Sequence, residues 1–372
     1  MTTLLHDPGS LLPPAQQEPG APAVDQDRPR GLHSRTLDDT LSLIGAAVGA
    51  LALVWLLYER ILPLQGVLGF VICWYLAFLA LYTAITAMAN PGPVVADRLA
   101  TAVIHGGAAI VGIALLSTVV YTFFRGAPTL WHLNMYTSDM GGVRPTSPLS
   151  QGGVLHAIVG SLIEIGIGVA AAVPLGVGTA VFMTEVGGRA ALWVRTVIEA
   201  MTALPDVLAG LFVYAVLIIT FHVPRSGFPA GMALAIMMTP IIARSSDVVL
   251  RVVPGGLREA SLALGAPLWR TVWHVVLPTA RPGLATAVIL GIARGVGETA
   301  PVLLTSGAST FFNADPFHSA MNSLPLYAYT AVRSGQPVFI ERGFGAATIL
   351  LAIVLLLFVG ARRLARRKGG RS

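Results

Sequence analysis

Two charged residues stand four positions apart inside a long apolar segment. The segment reads Ala293-Arg294-Gly295-Val296-Gly297-Glu298-Thr299-Ala300-Pro301, and a helix places Arg294 and Glu298 on one face. Ionisable residues within a membrane span are costly, so they face a cavity or a charged partner. Two interpretations stay open. The pair fixes helix packing, or Arg294 offers its planar fork to an oxyanion in transit while Glu298 positions it. We assign Arg294, Glu298 and Thr299 to a candidate substrate pathway.

The sequence has no motif for nucleotide binding, metal binding or disulfide formation. The only lysine, Lys368, precedes Gly369, whereas a nucleotide-binding P-loop needs Gly-Lys followed by Ser or Thr. The eight histidines have no metal-ligand spacing, and Cys73 has no cysteine to pair with. We therefore expect no catalytic residue, no metal and no cofactor on this chain, which disfavours a membrane enzyme.

The composition indicates that lipid is the solvent. The chain has 372 residues, of which 55% are hydrophobic and 11% charged, whereas a soluble domain carries about 25% charged residues. Roughly 20 helical residues span a bilayer. The sequence predicts an all-α integral membrane protein with eight spans, at 40–58, 62–89, 99–124, 153–183, 204–221, 228–243, 275–304 and 343–361.

The basic residues indicate the orientation. With both termini cytoplasmic, 17 of the 24 lie inside and 6 outside, with Arg294 in a span, as the positive-inside rule requires. The C-terminal arginines and Lys368 then anchor against anionic membrane lipid. This distribution is a topology signal, so we expect no nucleic-acid partner.

A short helix is predicted in the cytoplasmic stretch between the sixth and seventh spans. Residues 257–264 have a composition that suits a helix, and Gly265 begins a turn. Leu257, Ala260 and Leu264 share one face, with Arg258 and Glu259 off it. Such a helix either docks in a groove of a partner protein or lies on the membrane.

This stretch resembles the EAA loop of ABC-importer permeases. Glu259-Ala260-Ser261, then Gly265, then Leu277-Pro278 keep the spacing of that motif. The resemblance implies that Arg258, Glu259, Ala260, Ser261, Gly265, Leu277 and Pro278 couple the chain to an ATPase subunit. ATP and Mg²⁺ would then bind to that partner.

The seventh span resembles the permeases of phosphate importers. Arg294-x-x-Gly297-Glu298-Thr299-Ala300-Pro301 and the outer stretch 323–327 match the second permease subunit, the PstA type. The resemblance implies import of inorganic phosphate across the plasma membrane. It also implies a heterodimer with a second permease, two ATP-binding subunits and an extracytoplasmic phosphate-binding protein.

The same resemblance implies a type I importer bundle of six core helices behind two additional ones. We expect a disordered cytoplasmic tail (1–36), the additional helix pair (37–98), a permease domain (99–362) and a basic tail (363–372). The core of the permease domain is about 152–360 and its coupling loop about 244–275. Glu164 receives no role. The alternatives are a permease for sulfate, molybdate or another oxyanion, and a secondary transporter, which often has inverted repeats.

Overall fold

The computed structural model describes residues 37–61 and 66–367. Every regular element within those ranges is a helix. The expected disordered tail (1–36) and the last five residues of the expected basic tail lie outside the described residues. The predicted all-α architecture is confirmed.

The contacts divide the chain into two units, and the boundary along the chain lies between Ile113 and Ala114. The first unit contains α1 (Leu37–Leu56), α2 (Val67–Ala89) and the first part of α3 (Gly92–Leu130). Within it the Trp74 indole donates a hydrogen bond of 3.1 Å to the carbonyl of Ala47 and ties α2 to α1. The Arg98 guanidinium pairs with Asp39, so the charged ends of α1 and α3 neutralise each other.

The second unit continues from α3 and contains the remaining helices. In chain order they are α4 (Asn134–Thr137), α5 (Leu155–Val181), α6 (Gly188–Ala203), α7 (Asp206–Val213), α8 (Gly227–Val252), α9 (Gly255–Ala263), α10 (Leu268–Thr271), α11 (Leu277–Val296), α12 (Ala300–Thr305), α13 (Leu324–Arg333) and α14 (Pro337–Arg367). Four π-helical turns extend or join helices, at Leu57–Ile61, Phe182–Val186, Tyr214–Thr220 and Val272–Val276.

Seven described helices are long and apolar enough to cross a membrane, and a bent pair, α6 with α7, would bring the number to eight. The two helices of that pair meet at 104°. The bend falls at Leu204–Pro205 because proline forces the residue before it into extended backbone, and Leu204 has a ψ of 135°. The predicted fifth span, 204–221, begins at this bend, and the helical stretch after the bend runs to Thr220.

The seventh span differs from the prediction at its C-terminal end. The helix that carries Arg294 stops at Val296, and Pro301 lies in the first turn of α12. Proline suits that position because the amide of a first-turn residue has no helical acceptor. Glu298 and Thr299 therefore lie in a gap between two helices.

Small residues let α5, α8 and α11 pack backbone to backbone. A Cβ at Gly231 of α8 would lie 2.6 Å from Ile167 of α5, and a Cβ at Gly291 of α11 would lie 2.4 Å from Ile242 of α8. Apolar side chains of α5, α8 and α12, among them Leu234, Met238 and Val302, fill the space between them. The close contacts hold α11 in a fixed position, and with it Arg294.

Candidate substrate pathway and docking surface

Arg294 lies in the last turn of α11, directly before the helix breaks. Its Nε lies 3.1 Å from Oε1 of Glu298, and the two side chains form an ion pair. Thr299 is the N-cap of α12, and its carbonyl accepts from the amide of Leu303 over 2.9 Å. Arg294 and Glu298 thus stay in contact although the helix ends between them. Their charged groups lie beside the gap between α11 and α12.

A third charged residue, Asp206, completes this site. Asp206 is the first residue of α7, where the helix dipole favours a negative charge. Its carboxylate pairs with the outer nitrogen of Arg294. Asp206 also interacts electrostatically with Glu298. The guanidinium of Arg294 therefore contacts two carboxylates, one at the start of α7 and one in the gap after α11.

The site borders a cavity of about 550 Å³ between α6, α7, α8 and α11. Most of the lining is apolar, including Phe212, Met237 and Ile241, and the ionisable groups on it are Asp206 and Arg294. The side chain of Arg294 is 49% exposed and that of Glu298 is 14% exposed. Arg294 is thus the cation that an anion in this cavity would meet.

Asp206 is the residue that sequence reasoning misses. It is the third residue of the predicted fifth span, and the rule that singles out Arg294 applies to it equally: an ionisable residue in a span has a partner. The pairing itself is not visible in the sequence, since 88 positions separate the two residues.

Glu164 lies apart from this site. Its side chain is buried in α5. A hydroxyl of the same helix, that of Ser161, accepts from the amide of Leu324 over 2.7 Å. Ser161 thus holds the start of α13 against α5.

The predicted docking helix is α9, which is followed by a turn and by α10. Glu259 and Ala260 are exposed on α9, and the turn at Gly265 has a φ of +79°. Large apolar side chains beside them are also exposed, with Leu264 at 89% and Trp269 at 61%. This surface, comprising Leu257, Glu259, Ala260, Leu264 and Trp269, is here called the docking face.

Other residues of the motif face the bundle. Ser261 on α9 is within hydrogen-bond distance of Thr271 on α10, with 2.8 Å between the two hydroxyl oxygens. Leu277 packs against the buried cluster that includes Leu250 and Val276, and Pro278 is half-buried. Arg258 turns toward α5 and pairs with Glu185. The motif therefore divides into an exposed docking part and a part that fixes α9 to the bundle.

Comparison with known protein families places this helical arrangement among transport proteins. Residues 172–369 match the family described as "Binding-protein-dependent transport system inner membrane component". The match takes in the end of α5 and all of α6 to α14, and it includes both Asp206 and Arg294.

Curated relatives match a larger part of the chain. A Mycobacterium tuberculosis protein named "Phosphate transport system permease protein PstA 1" is 39% identical over 248 residues, which is 64% of this chain and 81% of the relative. A Mycobacterium leprae protein named "Phosphate transport system permease protein PstA" is also 39% identical, over 64% of this chain and 78% of the relative. The Pasteurella multocida protein of that name is 32% identical over 68% of this chain and 88% of the relative.

Solved structures with a similar chain include the MetNI methionine ABC transporter in inward-facing conformations. The matched chain has a TM-score of 0.45 and 21% identity, over 58% of this chain and 94% of the other.

Proposed function

We propose, because the chain belongs to the family of binding-protein-dependent transport system inner membrane components, that it is the permease subunit of an ATP-driven importer of inorganic phosphate. Relatives named as phosphate permeases in mycobacteria and in Pasteurella favour phosphate over sulfate or molybdate. The chain is a multi-pass membrane protein and a transport subunit, as those relatives are.

The half-exposed guanidinium of Arg294 at the edge of the cavity supports this function best. It already binds an oxyanion, the carboxylate of Asp206. Phosphate oxygens are also negatively charged, and arginine can donate two parallel hydrogen bonds to phosphate as it does to a carboxylate. In our proposal phosphate replaces Asp206 on the outer nitrogen, while Glu298 keeps the guanidinium in place through Nε.

The assembly we propose has a second permease subunit and two ATP-binding subunits, which bind ATP with Mg²⁺ and perform the hydrolysis. An extracytoplasmic phosphate-binding protein delivers the substrate. The docking face on α9 would contact an ATP-binding subunit, and that face and both termini would then lie on the cytoplasmic side of the plasma membrane. This chain itself would carry no cofactor.

The test is transport by the reconstituted complex with Arg294→Ala. Without the guanidinium the cavity has no cation for the anion, and two carboxylates stay behind without their counter-ion. We expect uptake of radiolabelled phosphate to fall at least about 100-fold, as for loss of a charge-assisted contact of about 3 kcal/mol. The complex should still assemble.

Arg333→Ala is the matched control. Arg333 is exposed, and its guanidinium contacts Tyr329 on the same helix, so we expect normal uptake. Normal phosphate uptake by the Arg294→Ala complex would overturn the proposed role of Arg294. Uptake of sulfate or molybdate in preference to phosphate by the unmodified complex would overturn the proposed substrate.

A further inference from the structure

The π-helical turn Phe182–Val186 at the end of α5 contacts two other helices through two successive side chains. Its wider i to i+5 bonding appears in the 3.2 Å hydrogen bond from the amide of Gly187 to the carbonyl of Phe182. The chain leaves the turn through Gly187 and Gly188, both with positive φ. Single π turns inside α-helices occur frequently at functional sites.

Glu185 of this turn binds the docking helix. Its carboxylate accepts from Nη2 of Arg258 on α9 over 2.8 Å and from Nε over 3.1 Å. The Glu185 side chain is 4% exposed. The guanidinium of Arg258 also donates to the carbonyls of Leu250 and Val253, each over 2.8 Å, at the C-terminal end of α8. One arginine therefore joins α9, α8 and the π turn.

Thr184 of the same turn binds α8 at another point. Its hydroxyl donates to Oδ1 of Asp247 over 2.9 Å. Asp247 also pairs with Arg195 of α6 over 3.5 Å. The ends of α5, α6 and α8 are thus connected beside the docking helix.

Both helices that Asp247 connects continue to the cavity. α8 carries the lining residues Met237 and Ile241, and α6 leads through the bend at Leu204–Pro205 to Asp206, which pairs with Arg294. A displacement of α9 therefore has a continuous path of direct contacts to the groups that line the cavity.

We propose that the pair of Arg258 and Glu185 is the coupling link of this subunit, which transmits movement of the docking helix through the π turn to α6 and α8. Arg258 and Glu185 act as positioning residues. The choice of phosphate as the substrate rests on the proposed function. The coupling link itself concerns the movement of α9, α6 and α8 when the complex binds ATP.

The experiment is a double-mutant cycle of Glu185→Gln and Arg258→Met in the reconstituted complex with its ATP-binding subunits. The first readout is the amount of phosphate imported per ATP hydrolysed. We expect each single variant to lower it about 10-fold, within the 5- to 150-fold range of typical coupling between sites, while the complex assembles and hydrolyses ATP. The double variant should lose no more than either single one because the two residues act as one pair. Arg258→Lys should restore part of the coupling.

The second readout does not depend on the substrate. Cys73 is the only cysteine, so Cys73→Ser combined with Ile241→Cys gives one reporter thiol in the cavity lining. ATP should change the rate at which a maleimide labels this thiol in the otherwise unmodified complex, and Glu185→Gln should abolish that change. Arg333→Met is the control, since Arg333 is exposed and its guanidinium contacts Tyr329 within its own helix.

Three results would overturn the coupling link: an unchanged labelling response in both single variants, additive losses in the double variant, or release of the ATP-binding subunits by Glu185→Gln. Failure of the proposed function is separate from these. A complex that imports no phosphate but keeps a Glu185-dependent labelling response contradicts the substrate and supports the link.

Discussion

At the scale of single residues, the site at Arg294 contains one contact that the sequence predicts and one that it does not. The spacing of Arg294 and Glu298 puts them on one face, and the structure joins them. Asp206 has no such neighbour in sequence, because its partner lies on another helix. Arg258 is similar: its place in the motif predicts a contact with another subunit, while the structure turns it toward Glu185.

Asp139 gives a residue-scale prediction in the segments that join the helices. Its carboxylate accepts from the amide of Phe312 over 2.7 Å and from that of Gly141 over 3.0 Å. The amide of Phe312 lowers the pKa of Asp139, with a smaller contribution from that of Gly141. The contact therefore stabilises the fold fully above about pH 4, the ordinary carboxyl range, and is lost as the pH falls through the lowered pKa.

We expect Asp139→Asn to speed hydrogen exchange of the Phe312 amide about 10-fold at pH 7, equivalent to ~1.4 kcal/mol for a charge-assisted hydrogen bond. The ratio of variant to unmodified rates should approach one as the solution is acidified, because the unmodified carboxylate is then protonated too. Asp315→Asn is the control, since Asp315 accepts from Phe317 within its own turn and should leave Phe312 unchanged. An equal ratio at neutral and acidic pH would contradict the assignment.

At the scale of elements, sequence reasoning finds the helices and one of the two interruptions beside the site. Apolar length predicts a span because lipid requires a continuous helix, and the described helices agree. The bend at Leu204–Pro205 follows from the proline, and the predicted fifth span begins there, whereas the break at Gly297 depends on packing between helices. α7 and α12 meet there, with Gly210 directly against the backbone of Pro301. Hydropathy averages over such a gap, so the predicted seventh span continued to residue 304.

Gly210→Ala tests this contact. The added Cβ would lie 2.5 Å from Cα of Pro301 and 3.0 Å from its carbonyl oxygen, and backbone cannot yield as a flexible side chain does. We expect α7 to separate from α12, a loss of about 1–3 kcal/mol in stability and slower phosphate uptake, because Asp206 begins α7. The measurements are the Tm in detergent and transport in vesicles.

Gly166→Ala on α5 is the matched change, because a Cβ there meets nothing within 4 Å. It should leave both the Tm and the transport rate close to their unmodified values. A Gly210→Ala protein with the same Tm as Gly166→Ala would mean that α7 and α12 are not in contact.

At the scale of the whole molecule, the sequence predicts that the chain has no nucleotide-binding motif and where a partner attaches. It does not predict which residues of the attachment motif contact the rest of the chain. The missing P-loop lysine assigns hydrolysis to another subunit in our proposal, and the motif at Glu259 indicates where that subunit attaches. The division of the motif into exposed and inward-facing residues needs three-dimensional contacts, since Glu259 and Arg258 are neighbours in sequence and face opposite ways.

Glu259→Arg tests the attachment. Glu259 is exposed on the docking face, so reversal of its charge should oppose whatever cationic or dipolar group the partner presents there. We expect binding of the ATP-binding subunit to weaken about 10-fold, as for loss of an interfacial charge contact of ~1.4 kcal/mol, measured by co-purification at increasing salt. Glu199→Arg, at an exposed carboxylate of α6, is the control, and equal co-purification of the two variants would contradict the docking role.

The docking face has a consequence for the life of the protein in a cell. Leu264 and Trp269 are exposed in the single chain, and an exposed apolar surface outside the predicted spans marks an interaction site or an aggregation liability. A newly inserted copy without its partner would present these side chains to chaperones and proteases, whereas an assembled copy would hide them. The cell would then keep only as many copies as it has partners, so the supply of one subunit would set the abundance of the other.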